Sequence, residues 1–305
     1  MTTVHSPTAG RRRLRNALRR ARDAAGLTQE RVAEEMDWSL SKVIRIEAGG
    51  VGISTSDLRQ LLLLYRIDDP DQVAELVELA RIGRQRPWWT RYKDIVPGAY
   101  LSYIGLEDES SAIRCVIPVG LPGLLQTPDF ARAVVEATWL TRLEAGTVRA
   151  VRPTPQEVAE RVEMRIIRQQ NILRREHPPQ ITAVLDEAVL WRQIGGPEVL
   201  TQQLRHLVEL GRRPHITLRV LPFTTSMINL VSPFVILEFP DPADEDVVYL
   251  EGEEAMVDSP AGVSLYRQIF ERVSAAALPE DESLALISRV ADEIGGSRPR
   301  PGSPA

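Results

Sequence analysis

Residues 28–48 constrain the chain more than any other stretch, because their blocks fit a pair of short crossed helices. Thr28 opens Gln29-Glu30-Arg31-Val32-Ala33-Glu34-Glu35-Met36. Asp37-Trp38-Ser39 interrupts, and Leu40-Ser41-Lys42-Val43-Ile44-Arg45-Ile46-Glu47-Ala48 follows. A threonine hydroxyl can satisfy an orphan N–H at a helix start, and Ser39 can do the same for the next helix. Val32, Ala33 and Met36 share one helical face. Val43 and Ile46, three apart, bury the second helix, and Ala33 is small enough to let it cross closely. Ser39, Ser41, Lys42 and Arg45 remain outside, beside an exposed Leu40. That pattern fits a helix-turn-helix.

The flanks extend the helical pattern over residues 11–86. Leu14, Leu18, Ala21 and Ala25 repeat at helical spacing, and Gly26 suits a C-terminal cap. Gly49-Gly50 ends the third helix. Ser54 or Ser56 opens a fourth through Leu58, Leu61, Leu62 and Tyr65. Asp69-Pro70 precedes a fifth with Val73, Leu76, Val77 and Ala80. Residues 1–10 read as a flexible arm. At Pro87-Trp88-Trp89 the composition changes, and residues 87–295 mix strands with helices. Strands are expected at 114–117, 181–185 and 216–221, with a hairpin over 233–251. Helices are expected at 154–176, 197–211, 260–277 and 280–294, and residues 296–305 read as a disordered tail. The expected fold is mainly α: a five-helix head, then a larger α+β effector and dimerisation domain.

The charge balance divides along the same boundary. The 305 residues carry a net charge of −5, but residues 1–100 hold 17 basic and 13 acidic groups. The remainder holds 20 basic and 29 acidic groups, a net of −9. Seven arginines and no acid lie in the first 22 residues. A basic head on an acidic body points to nucleic acid at one end. Arginine outnumbers lysine 35 to 2, so the arginine count alone is a poor guide to phosphate binding. No run approaches the roughly 18 apolar residues of a membrane span, and the chain reads as cytoplasmic.

Chemistry is sparse in the large domain. His5, His177, His206 and His215 form no metal-spaced pair, and the single cysteine, Cys115, sits in an expected strand as a buried thiol. Glu251, Glu253 and Glu254 read as a solvated loop, and Gly120, Gly123, Gly195 and Gly196 make no phosphate cradle. Trp88, Trp89, Trp139 and Trp191 read as core or interface anchors that could instead line an apolar pocket. The chain is therefore expected not to be an enzyme and to hold no metal or cofactor.

Trp38-Ser39-x-Ser41-Lys42-x-x-Arg45-Ile46-Glu47-x-Gly49 resembles the Xre-type helix-turn-helix, in the form common in actinobacterial members. The resemblance covers about residues 11–68. It implies a five-helix domain whose third helix enters the major groove. It places Gln29 on a phosphate and against the recognition helix, and Leu40, Ser41, Lys42 and Arg45 toward DNA. Leu40 stands where the family often has glutamine; it can touch a thymine methyl but cannot make a bidentate hydrogen bond. Glu47 matches a family glutamate that pairs with an arginine of the first helix, here Arg22.

Further on, Leu121-Pro122-Gly123-Leu124-Leu125-Gln126-Thr127-Pro128-Asp129-Phe130-Ala131-Arg132, Tyr103-Ile104-x-Leu106-Glu107, Ile216-x-Leu218-Arg219-Val220-Leu221-Pro222-Phe223 and Phe234-x-Ile236-Leu237-Glu238-Phe239 resemble the domain of unknown function that follows the helix-turn-helix in antitoxin-like regulators. Members are often encoded beside small acidic proteins.

The expected function is a sequence-specific transcriptional regulator that binds double-stranded DNA as a homodimer. Ser39 joins the recognition residues, and Arg11 and Arg12 are expected to hold phosphates. The large domain is expected to bind a small acidic protein on the face of Arg161, Arg165 and Arg168. A small-molecule effector in a pocket, or an enzyme with a DNA-binding head, are the alternatives.

Overall fold

The computed structural model describes residues 7–47, 51–138, 140–144, 147–225, 232–240, 244–253 and 255–296. The expected arm up to residue 6, His5, Gly49-Gly50, Trp139, Glu254 and the tail from 297 lie outside them. The chain divides into two compact units. One holds residues up to Arg91 with Leu101–Glu109, and the other holds Tyr92–Tyr100 with the residues from Ser110 on.

The first unit begins with five helices: α1 (Pro7–Ala24), α2 (Gln29–Glu35), α3 (Leu40–Glu47), α4 (Thr55–Leu64) and α5 (Pro70–Gly83). Their starts follow local chemistry. Thr28 Oγ1 accepts from the Arg31 N–H, Ser54 Oγ from Asp57 and Asp69 Oδ1 from Asp71. Leu18, Val32, Leu58, Leu61 and Leu62 form the centre of the core. α1 starts at Pro7, earlier than the expected arm allowed. Gly10 packs there against α5: a Cβ would stand 3.2 Å from Ile82 Cγ2 and from the Leu79 carbonyl, a tight contact that glycine avoids.

A 3₁₀ turn (Trp88–Tyr92) leads to α6 (Gly98–Glu107). The second unit then contains β1 (Ala112–Ile117), a 3₁₀ turn (Gly123–Leu125), α7 (Pro128–Ala137), β2 (Leu140–Glu144), β3 (Thr147–Val151) and α8 (Pro155–Leu173). β4 (Gln180–Asp186), α9 (Ala188–Trp191), α10 (Pro197–Leu210), β5 (Ile216–Leu221) and β6 (Phe234–Glu238) follow. β7 (Val247–Leu250), β8 (Ala255–Val257), α11 (Pro260–Ala276) and α12 (Glu280–Gly296) complete it.

Six strands form one sheet in the order β5-β4-β1-β6-β7-β8, while β2 and β3 pair separately. β1 is the hinge of the topology. It runs parallel to β4, with Ile113 opposite Ile181, and antiparallel to β6, with Ile113 opposite Leu237. Cys115 is buried in β1, as expected. Val116, Val184, Phe234, Ile236 and Val248 pack with Phe270 and Val273 of α11. α12 packs on α10 and β5, and the Ser283 hydroxyl accepts from the Val220 N–H at 3.0 Å. The expected face for an acidic protein needs correcting. Arg168 is only 4% exposed, and Arg161, Arg165 and Arg168 line a concave cleft, so the three do not form an exposed face.

Two histidines of this unit favour the neutral form. Burial pushes the His206 pKa down, opposed by Glu209 and helped by Arg213; burial and then Arg213 lower His215. The folded pKa values therefore lie below the unfolded value of about 6.5, and the unfolded chain takes up protons first. The stability these groups confer is complete above about pH 6.5 and falls as the pH drops toward the folded values. Thermal unfolding of the second unit should shift to lower temperature between pH 7.5 and 5, and His206→Gln should reduce that shift. An unchanged pH response in the variant would contradict the assignment.

Candidate nucleic-acid interface

α2 and α3 are joined by a tight break. Asp37 takes a positive φ of 53°, in the left-handed region that short polar residues tolerate better than most. The Trp38 N–H then bonds the Ala33 carbonyl at 2.9 Å, and Ser39 Oγ accepts from the Lys42 N–H at 3.2 Å. Ser39 thus caps α3. Val43 and Ile46 point inward, and Ala33 is buried in the same cluster.

The opposite face of α3 carries Leu40, Ser41, Ile44 and Arg45, all exposed. These positions fall at i, i+1, i+4 and i+5, one continuous helical surface. Arg45 Nε bonds the Ser41 carbonyl at 3.2 Å, aligning the guanidinium along the helix. Ile44 is 44% exposed and Leu40 is 38% exposed, so an apolar ridge runs beside the polar one. Sequence reasoning had not included Ile44. The available signal was its spacing of four from Leu40.

Lys42 is tied more closely to its own domain. Its Nζ lies 3.1 Å from Asp57 Oδ2 and 3.7 Å from the centroid of the Trp38 ring. An ion pair and a cation–π contact together hold the ammonium beside α4.

Beneath α3 lies a buried carboxylate. Glu47 is 2% exposed. Its Oε1 accepts from Arg22 Nε at 2.7 Å, and its Oε2 from Gln29 Nε2 at 2.7 Å. Arg22 Nη1 also bonds the Leu27 carbonyl at 2.9 Å. One carboxylate therefore joins the ends of α1, α2 and α3. Its hydrogen bond raises the Arg22 pKa. Burial, and secondarily the Glu47 charge, pushes the nearby Tyr65 hydroxyl up. Gln29 is placed as a brace on α3 by this bond.

The two arginines expected on phosphates are built into α1. Arg12 is 8% exposed, and a buried guanidinium cannot reach a phosphate without unpacking. Arg11 Nε donates to the Gly83 carbonyl at 2.6 Å, fastening α1 to the end of α5. Its side chain is otherwise at the surface. The structure thus brings together Leu40, Ser41 and Arg45, and separately Arg22, Gln29 and Glu47.

Among the described residues, no group of three or more His, Cys, Asp or Glu stands close enough to hold a metal ion. No helix among them is long and apolar enough to cross a membrane. Two family models match the chain. One, described as a helix-turn-helix domain, covers residues 13–76; the other, a domain of unknown function called DUF5753, covers residues 100–289. No curated protein and no solved structure matches it. The helix-turn-helix match points to a DNA-binding regulator rather than an enzyme.

Proposed function

The chain belongs to the DUF5753 family, whose domain spans more than half of it behind a helix-turn-helix, and on that premise we propose that it is a sequence-specific DNA-binding transcriptional regulator. The single observation that carries this reading is the exposed face of α3. Leu40, Ser41, Ile44 and Arg45 stand clear of the head, while Glu47 anchors the same helix from below. A helix held rigidly by a buried network can present side chains to base edges in the major groove. Arg45 and Ser41 supply donors, and Leu40 and Ile44 supply apolar contact for thymine methyls. Ser39 serves the interface by starting α3. Gln29 can meet a phosphate only through atoms its bond to Glu47 leaves open. Lys42 and Arg11 sit at the edge as backbone contacts, and Arg12 drops out.

Selection of bound duplexes from a random pool by the full chain tests the reading. Convergence on one motif supports it, and a pool that never enriches sinks it. Two copies are proposed to bind together, because one head contacts few base pairs and a two-fold pair doubles the contact. The motif should then be a pseudo-palindrome with half-sites about 34 Å apart. Light scattering should find a dimer on DNA; a monomer there would remove the dimeric reading. The large unit, in this scheme, acts as the effector domain and adjusts DNA affinity through what it binds, with reciprocal effect. The Xre and antitoxin-like character is part of the same proposal, resting on the motifs around Trp38 and Leu121 alone.

A further inference from the structure

The second unit contains a cleft of about 470 Å³ between α7, α8, the 119–126 loop and the end of β7. That volume lies within the range of sites for metabolite-sized ligands, roughly 300–1,000 Å³. Its walls are of two kinds. Tyr100, Val134, Met164 and Tyr249 are apolar or aromatic, whereas Arg161, Arg165 and Arg168 arrive from successive turns of α8. A single carboxylate, Glu251, stands among the lining residues against these three guanidiniums.

Arg165 is the informative member. A guanidinium has five N–H donors. Among the described residues Arg165 uses one, Nη1, to the neutral amide oxygen of Gln126 at 2.9 Å. Its Nε is buried and makes no hydrogen bond. A buried N–H without an acceptor is costly until one arrives. Arg168 stands beside it, its Nη1 bonded to Tyr100 Oη at 2.7 Å and its guanidinium carbon 5.7 Å from the ring centroid. Arg161 Nη2 bonds the Ile95 carbonyl.

The wall facing these arginines is fixed in advance. Gln169 Nε2 donates to the Gly123 carbonyl at 2.7 Å and to the Gln126 carbonyl at 2.9 Å. Gln203 Nε2 donates to the Leu125 carbonyl at 2.8 Å, and its Oε1 accepts from the Thr127 N–H at 2.7 Å. Gln126 Nε2 holds the Leu121 carbonyl at 2.7 Å. Gly123 has its own part: a Cβ there would lie 3.3 Å from Arg168 Nη1 and 3.6 Å from Arg165 Nε. A bare backbone at this point leaves room beside both guanidiniums. Three glutamines therefore hold a loop whose shape serves the space in front of two arginines, and such preorganisation favours binding.

We propose that this cleft is an effector site for a metabolite-sized organic anion, its carboxylate or phosphate on Arg165 and its apolar body against Tyr100, Val134 and Met164. The guanidinium fork suits either oxyanion. The inference goes beyond the DNA-binding reading and does not depend on it.

Calorimetric titration of the full chain without DNA tests it. The probes are 3-phenylpropionate, phenyl phosphate, the neutral 3-phenylpropanol and inorganic phosphate. At least one aromatic anion should bind, about tenfold or more tighter than the neutral alcohol, the scale of one charge-assisted hydrogen bond. The preferred anion distinguishes a carboxylate effector from a phosphorylated one, and inorganic phosphate alone should bind more weakly for want of an apolar body. Arg165→Gln should remove the preference for the anion. Where circular dichroism shows that variant misfolded, Val134→Trp decides: it keeps all three arginines but crowds the apolar wall where the ligand body is placed, and should weaken binding of the aromatic anions. No binding of either aromatic anion to the wild-type chain at millimolar concentration overturns the proposal. So does binding that is unchanged in both variants.

Discussion

Glu47→Ala should unfold the head while leaving the sheet of the second unit intact. The substitution removes the acceptor of two 2.7 Å hydrogen bonds and leaves Arg22 without its buried partner. Breaking a buried pair from one side costs about 3–5 kcal/mol, and here the cost should lie toward the low end, because Asp23 still stands 2.8 Å from Arg22 Nη1. A domain's total stability is commonly only about 5–15 kcal/mol, so the head would lose much of its margin. Glu47→Gln should do less harm, because it keeps an acceptor for one of the two donors. Hydrogen exchange read by mass spectrometry separates the units: amides of α1–α3 should lose protection, and those of β1, β4 and β5 should keep it. Unchanged protection in α3 would show that the network contributes little. Arg22→Ala combined with Glu47→Ala should cost less than the sum of the single changes, as contacting residues rarely add.

Arg45→Ala should weaken binding to the selected motif by about 1–3 kcal/mol, roughly five- to 150-fold, and relax preference at one base position. Its side chain is exposed and lies on the same face as Ser41, Leu40 and Ile44. Truncation removes donors without disturbing a core. Lys42→Ala should have a smaller effect, because Asp57 and Trp38 already engage the ammonium. Its signature should be a shallower salt slope with base preference retained, as for a phosphate contact. Arg81 serves as a control, since it lies outside α3 and pairs with Glu78 on the exposed side of α5. Competition binding against single-base variants of the motif makes the distinction. If Arg45→Ala weakens every sequence equally, Arg45 holds a phosphate and the base-reading face lies elsewhere on α3.

Much of the fold was legible because its signals are local. Thr28 and Ser54 cap helices where their short hydroxyls suggested, and Thr154 caps the helix expected from 154, with Glu157 completing a capping box. β5 spans Ile216–Leu221 and β7 spans Val247–Leu250, as alternation and turn residues indicated. β8 was missed: three residues after a turn offer too little pattern to recognise. The β2–β3 hairpin was missed as well, since Thr, Arg and Glu dilute its alternation. At the candidate interface, apolar patterning assigns an isoleucine to the core, so the exposed Ile44 ran against its own signal. The α8 arginines failed for another reason. Helical spacing groups them on one side, but only the tertiary fold decides whether that side meets solvent or encloses a cleft.

The place of β1 in its sheet dictates an order of assembly as the chain is made. Arg114 of β1 pairs with Glu238 of β6, at a sequence separation of 124 residues, through Nε to Oε1 at 2.9 Å. β1 therefore waits, one edge open, until more than a hundred further residues have left the ribosome. The helices of the head close over short loops and need nothing from downstream, so they can fold first, because local contacts form sooner than distant ones. A ribosome that stops between β1 and β4 would release a chain with a folded head and an unpaired strand, Ala112–Ile117, whose apolar Ile113, Val116 and Ile117 would be open to other chains, and one that stops between β4 and β6 would leave one edge of that strand open. Such a fragment would carry a folded head and an open strand edge, a seed for aggregation. The rate at which the stretch from 118 to 238 is translated would then set how long each new molecule spends in that hazardous half-made form.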